Sequence, residues 1–297
     1  MILLVLTLLG LTPTPTTVAP SQLELENFWH ISSEERFDLS GVVALNDEIR
    51  KSFGLKGDVL LVNDRAPIIY EGTFQGNEIH IQPWQTLGEL GKTDFEDIAI
   101  HKNTIYVANE YPPSVYVLNM VEGKINTLII NFSEALSGND VAMAMTPWFG
   151  IEGIAVTDSF IFLAKEMPVF GLFRFERDQP LKGKLETLRP TTTGSQTSLR
   201  VTDGIYTLNR ETKEIVKMNS QLEPQAHFSF KKTLEDPRFN YICKDSEGKV
   251  HDEWSTAEAL EFTDNQIWIG LDNNGETLKA GKESRAVLLG FKRPKDF

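Results

Sequence analysis

The sequence predicts an all-β protein, a β-propeller of five four-stranded blades closed by an N-terminal strand. Three observations predict it: a hairpin-like stretch recurs, more strand follows each copy, and the chain ends one strand short while its start carries an unpartnered one. The repeat reads Glu96–Ile100 (EDIAI) with Ile105–Glu110 (IYVANE), Glu152–Val156 (EGIAV) with Ile161–Glu166 (IFLAKE), Gln196–Arg200 (QTSLR) with Ile205–Arg210 (IYTLNR), and Glu258–Phe262 (EALEF) with Ile267–Asp272 (IWIGLD). A stretched copy runs from Ser40–Ala44 (SGVVA) to Val59–Asp64 (VLLVND). Repetition at this period is the signature of a propeller or solenoid.

Each copy reads as a β-hairpin. Apolar residues alternate in the first arm, and the second is rich in β-formers. Between them lie His101–Thr104, Thr157–Ser159, Thr202–Gly204 and Thr263–Asn265, residues that tolerate positive φ or bond their own backbone. Centring each hairpin on its turn sets Glu96 opposite Glu110, Glu152 opposite Glu166, Gln196 opposite Arg210 and Glu258 opposite Asp272. Further strands follow, such as Val115–Leu118 and Ile125–Ile130 in the second copy. The last copy ends with Ala286–Phe291, and Leu23–His30 is expected to pair beside it. Such closure leaves only short, protected edges. The polar stretch 236–254 lacks alternation and is read as a loop insertion.

The 297 residues are 41% hydrophobic, ample for a core, and carry a net charge of −13. That charge argues against nucleic acid and anionic membrane surfaces as partners and favours a cationic, neutral or metal-bridged ligand. Residues 1–19 read as a signal peptide: Ile2–Leu11 is apolar, too short to span a bilayer, and precedes a fair cleavage site at Thr17–Ala19. Residues 20–297 then form one propeller domain, periplasmic or secreted, and a monomer is expected. Cys243 is the only cysteine, so no intramolecular disulfide forms.

In a propeller the first strand of each blade lines the central channel. The start of that strand and the end of the second then lie at the same end of the channel. The start column (Ser40, Glu96, Glu152, Gln196, Glu258) and the end column (Asp64, Glu110, Glu166, Arg210, Asp272) are therefore expected to converge on one mouth, with seven carboxylates and one arginine. Opposed carboxylates destabilise a sheet unless they share a proton or hold a cation. A hard cation takes oxygen ligands, so calcium is the expected ion, on Asp64, Glu110, Glu166 and Asp272, with Asn63, Asn109, Asn209, Asn273 and Asn274 as neutral oxygens nearby. The alternative is that each acid caps a hairpin or bonds the next blade. Arg210 either binds an anion at the mouth or neutralises Glu166 or Glu258. Trp148 and Trp254 precede two of the start acids and are candidates to stack on a sugar or inositol ring.

Other chemistry is thin. The five histidines have no metal spacing, and no nucleophile elbow, phosphate-cradling glycine loop or H-E-x-x-H motif occurs.

The recurring residues Phe95–Ile100 with Ile105–Glu110, Ile151–Val156, and Ala257–Phe262 with Ile267–Asn274 resemble the phytase-like propeller family with esterase-like activity and, less closely, the SdiA-regulated propeller family. The resemblance covers most of the mature chain through short motifs, and the fourth copy departs from the acidic pattern with Gln196 and Arg210. It implies an exported bacterial hydrolase of a phosphoester or carboxylic ester, with calcium. The residues expected to carry catalysis are Glu96, Glu152 and Glu258; Gln196, Arg210, Trp148 and Trp254 are expected to bind a small-molecule or glycan substrate. Two alternatives stand beside this: a glycoside hydrolase using a channel carboxylate pair, and a non-catalytic binding scaffold.

Overall fold

The structure, a computed structural model, describes residues 19–88, 93–130, 150–165, 171–177, 179–186, 196–244, 250–251, 257–273, 277–278, 284–295 and 297. The residues expected to form the signal peptide lie almost wholly outside these, as do Trp148, Glu166, Trp254 and Asn274.

The chain enters through β1 (Ser21–Gln22) and β2 (Leu25–Ser32). The first blade is β3 (Leu39–Ala44), β4 (Val59–Asn63), β5 (Ala66–Gln75) and β6 (Glu78–Thr86). The insertion that stretches this copy is a short helix, α1 (Asp47–Phe53). The Asn46 side chain accepts from the Ile49 N–H at its start, and Gly54, at φ 69°, ends it. The second blade is β7 (Phe95–His101), β8 (Thr104–Asn109), β9 (Ser114–Asn119) and β10 (Lys124–Ile129). The third is β11 (Ile151–Val156), β12 (Phe160–Lys165), β13 (Gly171–Glu176) and β14 (Gln179–Glu186). The fourth is β15 (Gln196–Val201), β16 (Ile205–Asn209), β17 (Glu214–Met218) and β18 (Pro224–Ser229), followed by a one-turn helix, α2 (Lys231–Leu234). After β19 (Tyr241–Lys244) and β20 (Val250–His251) come β21 (Ala257–Phe262), β22 (Gln266–Leu271), β23 (Thr277–Leu278) and β24 (Val287–Lys292).

The closure expected from the sequence is present. β2 runs antiparallel to β24, Leu25 facing Phe291 and His30 facing Val287. The entering segment does more than the sequence suggested. β2 also pairs in parallel with β6, His30 facing Glu78, so the first and last blades share one eight-stranded sheet. β1 adds in parallel to β18. The inner strands β3, β7, β11, β15 and β21 adjoin one another in a closed ring. The stretch 236–254 is not simply a loop: β19 pairs with β20 and β23 in a small sheet of its own.

Hydrophobic packing follows the ring. In β8, Ile105 and Val107 pack toward the first blade while Tyr106 and Ala108 pack toward the third. In β12, Ile161 and Leu163 face one neighbour and Phe162 and Ala164 the other. Period-two alternation with both faces buried explains why these strands read as nearly continuous apolar runs. Clusters of this kind fill each junction between consecutive blades, the last joining Leu39, Val42 and Leu61 to Ala259, Trp268 and Leu288.

Candidate functional site

The repeat ends do meet, but not as opposed pairs. Every inner hairpin carries a β-bulge at its open end. Phe95 faces Asn109 and Asp97 faces Ala108, leaving Glu96 as the extra residue. Ser40, Glu152 and Glu258 are the extra residues of their hairpins in the same way. The expected pairings of Glu96 with Glu110, Glu152 with Glu166 and Glu258 with Asp272 are therefore corrected: the bulge takes each start residue out of the ladder and re-aims it. In the fourth hairpin the extra residue is Thr197, between Gln196, which faces Asn209, and Ser198, which faces Leu208. Gln196 thus shares its register position with Leu39, Phe95, Ile151 and Ala257, all fully buried, and the mouth position belongs to Thr197. The cause is a shorter turn. Val201 faces Ile205, whereas Val156 faces Ile161 and Phe262 faces Ile267.

At the mouth, Asp94, Glu96 and Glu110 offer carboxylate oxygens that all lie within 4.8 Å of one another. Burial, and then the charges of Glu152, Asp94, Glu258 and Glu110, push the Glu96 carboxyl well above the ordinary range. Burial and the Glu110 charge raise Asp94 to about 6. Burial followed by the Asp38 charge raises Asp64 to about 6 against the pull of Arg65 and Arg36. Its Oδ1 is buried and accepts no hydrogen bond among the described residues. Glu110 also accepts from the Gly150 N–H at 3.1 Å, tying the second blade to the third. Asp272 is buried, and its charge joins the Asp38 hydrogen bond and the Asp64 charge in raising Arg65.

Arg210 takes one of the two roles left open. Its Nη1 donates to Glu258 Oε1 at 2.8 Å, an ion pair joining the fourth and fifth blades. The side-chain oxygens of Asn63, Asn109 and Asn209 are engaged by backbone N–H groups. Asn63 Oδ1 accepts from the Arg65 and Ala66 N–H groups, and Asn209 Oδ1 from those of Glu211 and Thr212, so both hold turns. Asn109 Oδ1 accepts from the Asp94 N–H at 2.8 Å while its amide donates to Pro112 O at 2.7 Å. Asn273 donates to the Ser284 carbonyl.

Beneath the mouth lies a cluster that sequence reading missed. Arg200, on β15, donates from Nη1 to both Asp97 oxygens at 3.0 and 3.2 Å and from Nε to Glu261 at 3.0 Å. It also donates to the carbonyls of Val42, Ile98, Ile154 and Leu199. One guanidinium therefore touches β3, β7, β11, β15 and β21. Asp97 further accepts from Ser198 Oγ at 3.0 Å, and Ser198 Oγ accepts from the Leu260 N–H. Burial raises the Asp97 and Glu261 carboxyls, and Arg200 opposes it. In the register set by the bulges, Asp97 stands where the other hairpins have Gly41, Gly153, Ser198 and Ala259. A charge at a small-residue position was the available signal.

The site can gather a hard cation: its donors are all oxygen, and their mutual repulsion would be relieved by one. No family model matches the chain, and no curated protein matches it in sequence. The Myxococcus xanthus glutaminyl cyclase structure is similar over 92% of this chain and 99% of its own, at 8% identity and a TM-score of 0.51. A calcium-binding regucalcin from Agrobacterium tumefaciens is similar over 93% and 98% respectively, at 11% identity and a TM-score of 0.47. At these identities the likeness concerns the fold alone, and that fold is the β-propeller.

Proposed function

We propose that the mouth binds a divalent cation, calcium, and that the protein hydrolyses a phosphoester or carboxylic ester there after export. The observation that carries the reading is the Asp94, Glu96 and Glu110 trio, with donor oxygens inside 4.8 Å and the Glu96 carboxyl raised by burial and then by four neighbouring acids. Asp64 extends the donor set with a buried oxygen that has no other partner among the described residues. Glu166 and Asp272 complete it in this reading. A bound cation would polarise a substrate oxygen and activate water.

The chain supplies the rest. Glu258 pairs with Arg210 at 2.8 Å and positions a guanidinium that in this reading also binds the anionic oxygen of the substrate by charge-assisted bonds. Glu152, buried at its bulge, is the carboxylate placed to move a proton. Arg200 and its partners close the floor, so substrate enters and leaves by the mouth. Trp148 and Trp254 are in this reading the residues that stack on the substrate. The apolar stretch Ile2–Leu11 supports export, and among the described residues no helix is long and apolar enough to cross a membrane.

The test is a panel of nitrophenyl esters, nitrophenyl phosphates, phytate and aryl glycosides, each with calcium and with chelator. Turnover of an ester or phosphoester that needs calcium and is lost in Glu96→Gln supports the reading. Glycoside turnover in chelator would replace it with carboxylate-pair chemistry. A folded protein that turns over nothing yet retains a glycan or peptide would replace it with a binding scaffold.

A further inference from the structure

Beside the mouth, on the first blade, lies a second cavity of about 830 Å³. That volume is in the range of small-molecule sites, roughly 300–1,000 Å³. It opens between the segment leading into β3 and the face made by β5 and β6. Ile68 and Tyr70 are two apart on β5 and so share a face, and Pro83 lies across from Tyr70 on β6. The Tyr70 ring meets the buried Phe37 edge-on, centroids 5.1 Å apart, which fixes its plane. The wall is therefore apolar and partly aromatic.

Two arginines line the same cavity. A fully buried carboxylate, Asp38, holds both. Arg36 donates Nε to Oδ1 at 2.7 Å and brings Nη2 to 2.6 Å from Oδ2; Arg65 donates Nε to Oδ2 at 2.6 Å. Glu34 and Glu35 line the cavity as well, so its positive charge is confined to the two guanidinium heads held on Asp38. The terminal amino groups of Arg65 make no hydrogen bond among the described residues, and its side chain is 47% exposed. Because Asp38 pins each guanidinium, little side-chain freedom remains to be lost when a ligand docks. Glu34 and Glu35, on the exposed rim, and Asp64 oppose that charge, so the attraction is local to the two arginine heads.

We propose that this cavity is a binding site for a small aryl carboxylate, its ring against Tyr70 and Pro83 and its carboxylate on Arg65 and Arg36. A guanidinium matches a carboxylate bidentately, and a flat ring matches the wall. The site adjoins the mouth, where the charges of Asp64 and Asp272 reach Arg65, so the two sites are tested apart by working in chelator.

The experiment is titration calorimetry in chelator with 2-naphthoate, 2-naphthamide and inorganic phosphate as probes. The carboxylate should bind about tenfold or more tightly than the amide, because only it makes charge-assisted bonds. It should also bind about tenfold or more tightly than phosphate, which leaves the apolar wall uncovered. Arg65→Gln should weaken 2-naphthoate by about tenfold and leave the amide unchanged. Ser33→Asp adds a negative charge at the exposed rim while keeping an acceptor for the Glu35 N–H. It should weaken 2-naphthoate too, and it tests the idea even if Arg65→Gln fails to fold. Equal affinity for carboxylate and amide, equal affinity for phosphate, or wild-type binding by both variants overturns the proposal. Because calcium is absent, none of these outcomes bears on the cation at the mouth, which thermal stability with calcium reports separately.

Discussion

Asp97 and Arg200 form a fork in the middle of the channel, Nη1 within 3.0 and 3.2 Å of the two carboxylate oxygens and Nη2 within 3.2 Å of Oδ1. They sit on β7 and β15, which are separated in the ring by β11, so the pair bridges strands that are not neighbours. Arg200 to Met should be among the most damaging single changes, since it leaves Asp97 and Glu261 buried without their cation. Breaking such a pair costs about 3–5 kcal/mol, measurable by urea unfolding at neutral pH. Adding Asp97→Asn should recover part of the loss by removing one stranded charge. A single variant as stable as the wild type would show that the fork is dispensable for the ring.

The raised carboxyls at the mouth give stability a pH dependence with a definite sign. Asp64 and Asp94 titrate at about 6 in the folded chain, and Glu96 lies well above its ordinary value. Unfolded, each loses its proton near pH 4. Between those points the folded state holds protons that the unfolded state has released, so stability falls as pH rises through the folded values. Asp203, held low mainly by bonds from Lys217 and Tyr206, works the opposite way, but only below about pH 4. In chelator the melting temperature should therefore rise as pH drops from about 7 to about 5. A fall over that interval would mean that the mouth acids are not mutually strained.

Calcium and protons should compete for the same oxygens. At about pH 7 millimolar calcium should raise the melting temperature through preferential binding to the folded state, and at about pH 5 the increment should shrink. Glu96→Gln removes a buried carboxyl held well above its ordinary value. The variant should be more stable than the wild type in chelator at pH 7 and respond less to calcium. Scanning calorimetry of both proteins, with and without calcium, reads both effects. A variant less stable in chelator would identify Glu96 as a structural hydrogen-bonding group.

Much of this fold is legible because propeller strands are buried on both faces and separated by turn residues, so Ile105–Asn109 and Ile267–Leu271 announce themselves. The closing strand is legible for a topological reason: the final blade lacks one in the sequence, and Leu23–His30 precedes every repeat. The parallel additions β2 on β6 and β1 on β18 were not, because backbone pairing at a sheet edge leaves no side-chain pattern. Bulges were invisible for a related reason. They change the register without changing the order of residue types, and matching copies at constant length put Arg200 in line with Ile100 when it stands in register with Ala99. That shift concealed the Asp97–Arg200–Glu261 cluster. Asp38 and Asp94 were missed because they lie outside the repeated stretch and reach the mouth only through their loops.

The register correction itself can be tested at two adjacent residues. Gln196→Glu changes one atom of a buried side chain and places a charge at a position that is apolar in the other four hairpins, Leu39, Phe95, Ile151 and Ala257. It should lower stability by a few kcal/mol, on the order of an unpaired buried charge after relaxation. The loss should be largest at alkaline pH, where the new carboxyl is ionised, and calcium should not restore it. Thr197→Glu instead adds a fourth acid to the column of Glu96, Glu152 and Glu258. It forfeits the bond from Thr197 Oγ1 to the Ala257 carbonyl at 2.7 Å, a loss of about 0.5–1.5 kcal/mol. It also adds repulsion that a cation relieves. In chelator it should melt below the wild type, and its gain on adding calcium should exceed the wild-type gain. Melting curves of the two variants with calcium and with chelator decide the matter. If Gln196→Glu shows the larger calcium gain, Gln196 lines the mouth and the fourth hairpin follows the constant-length alignment.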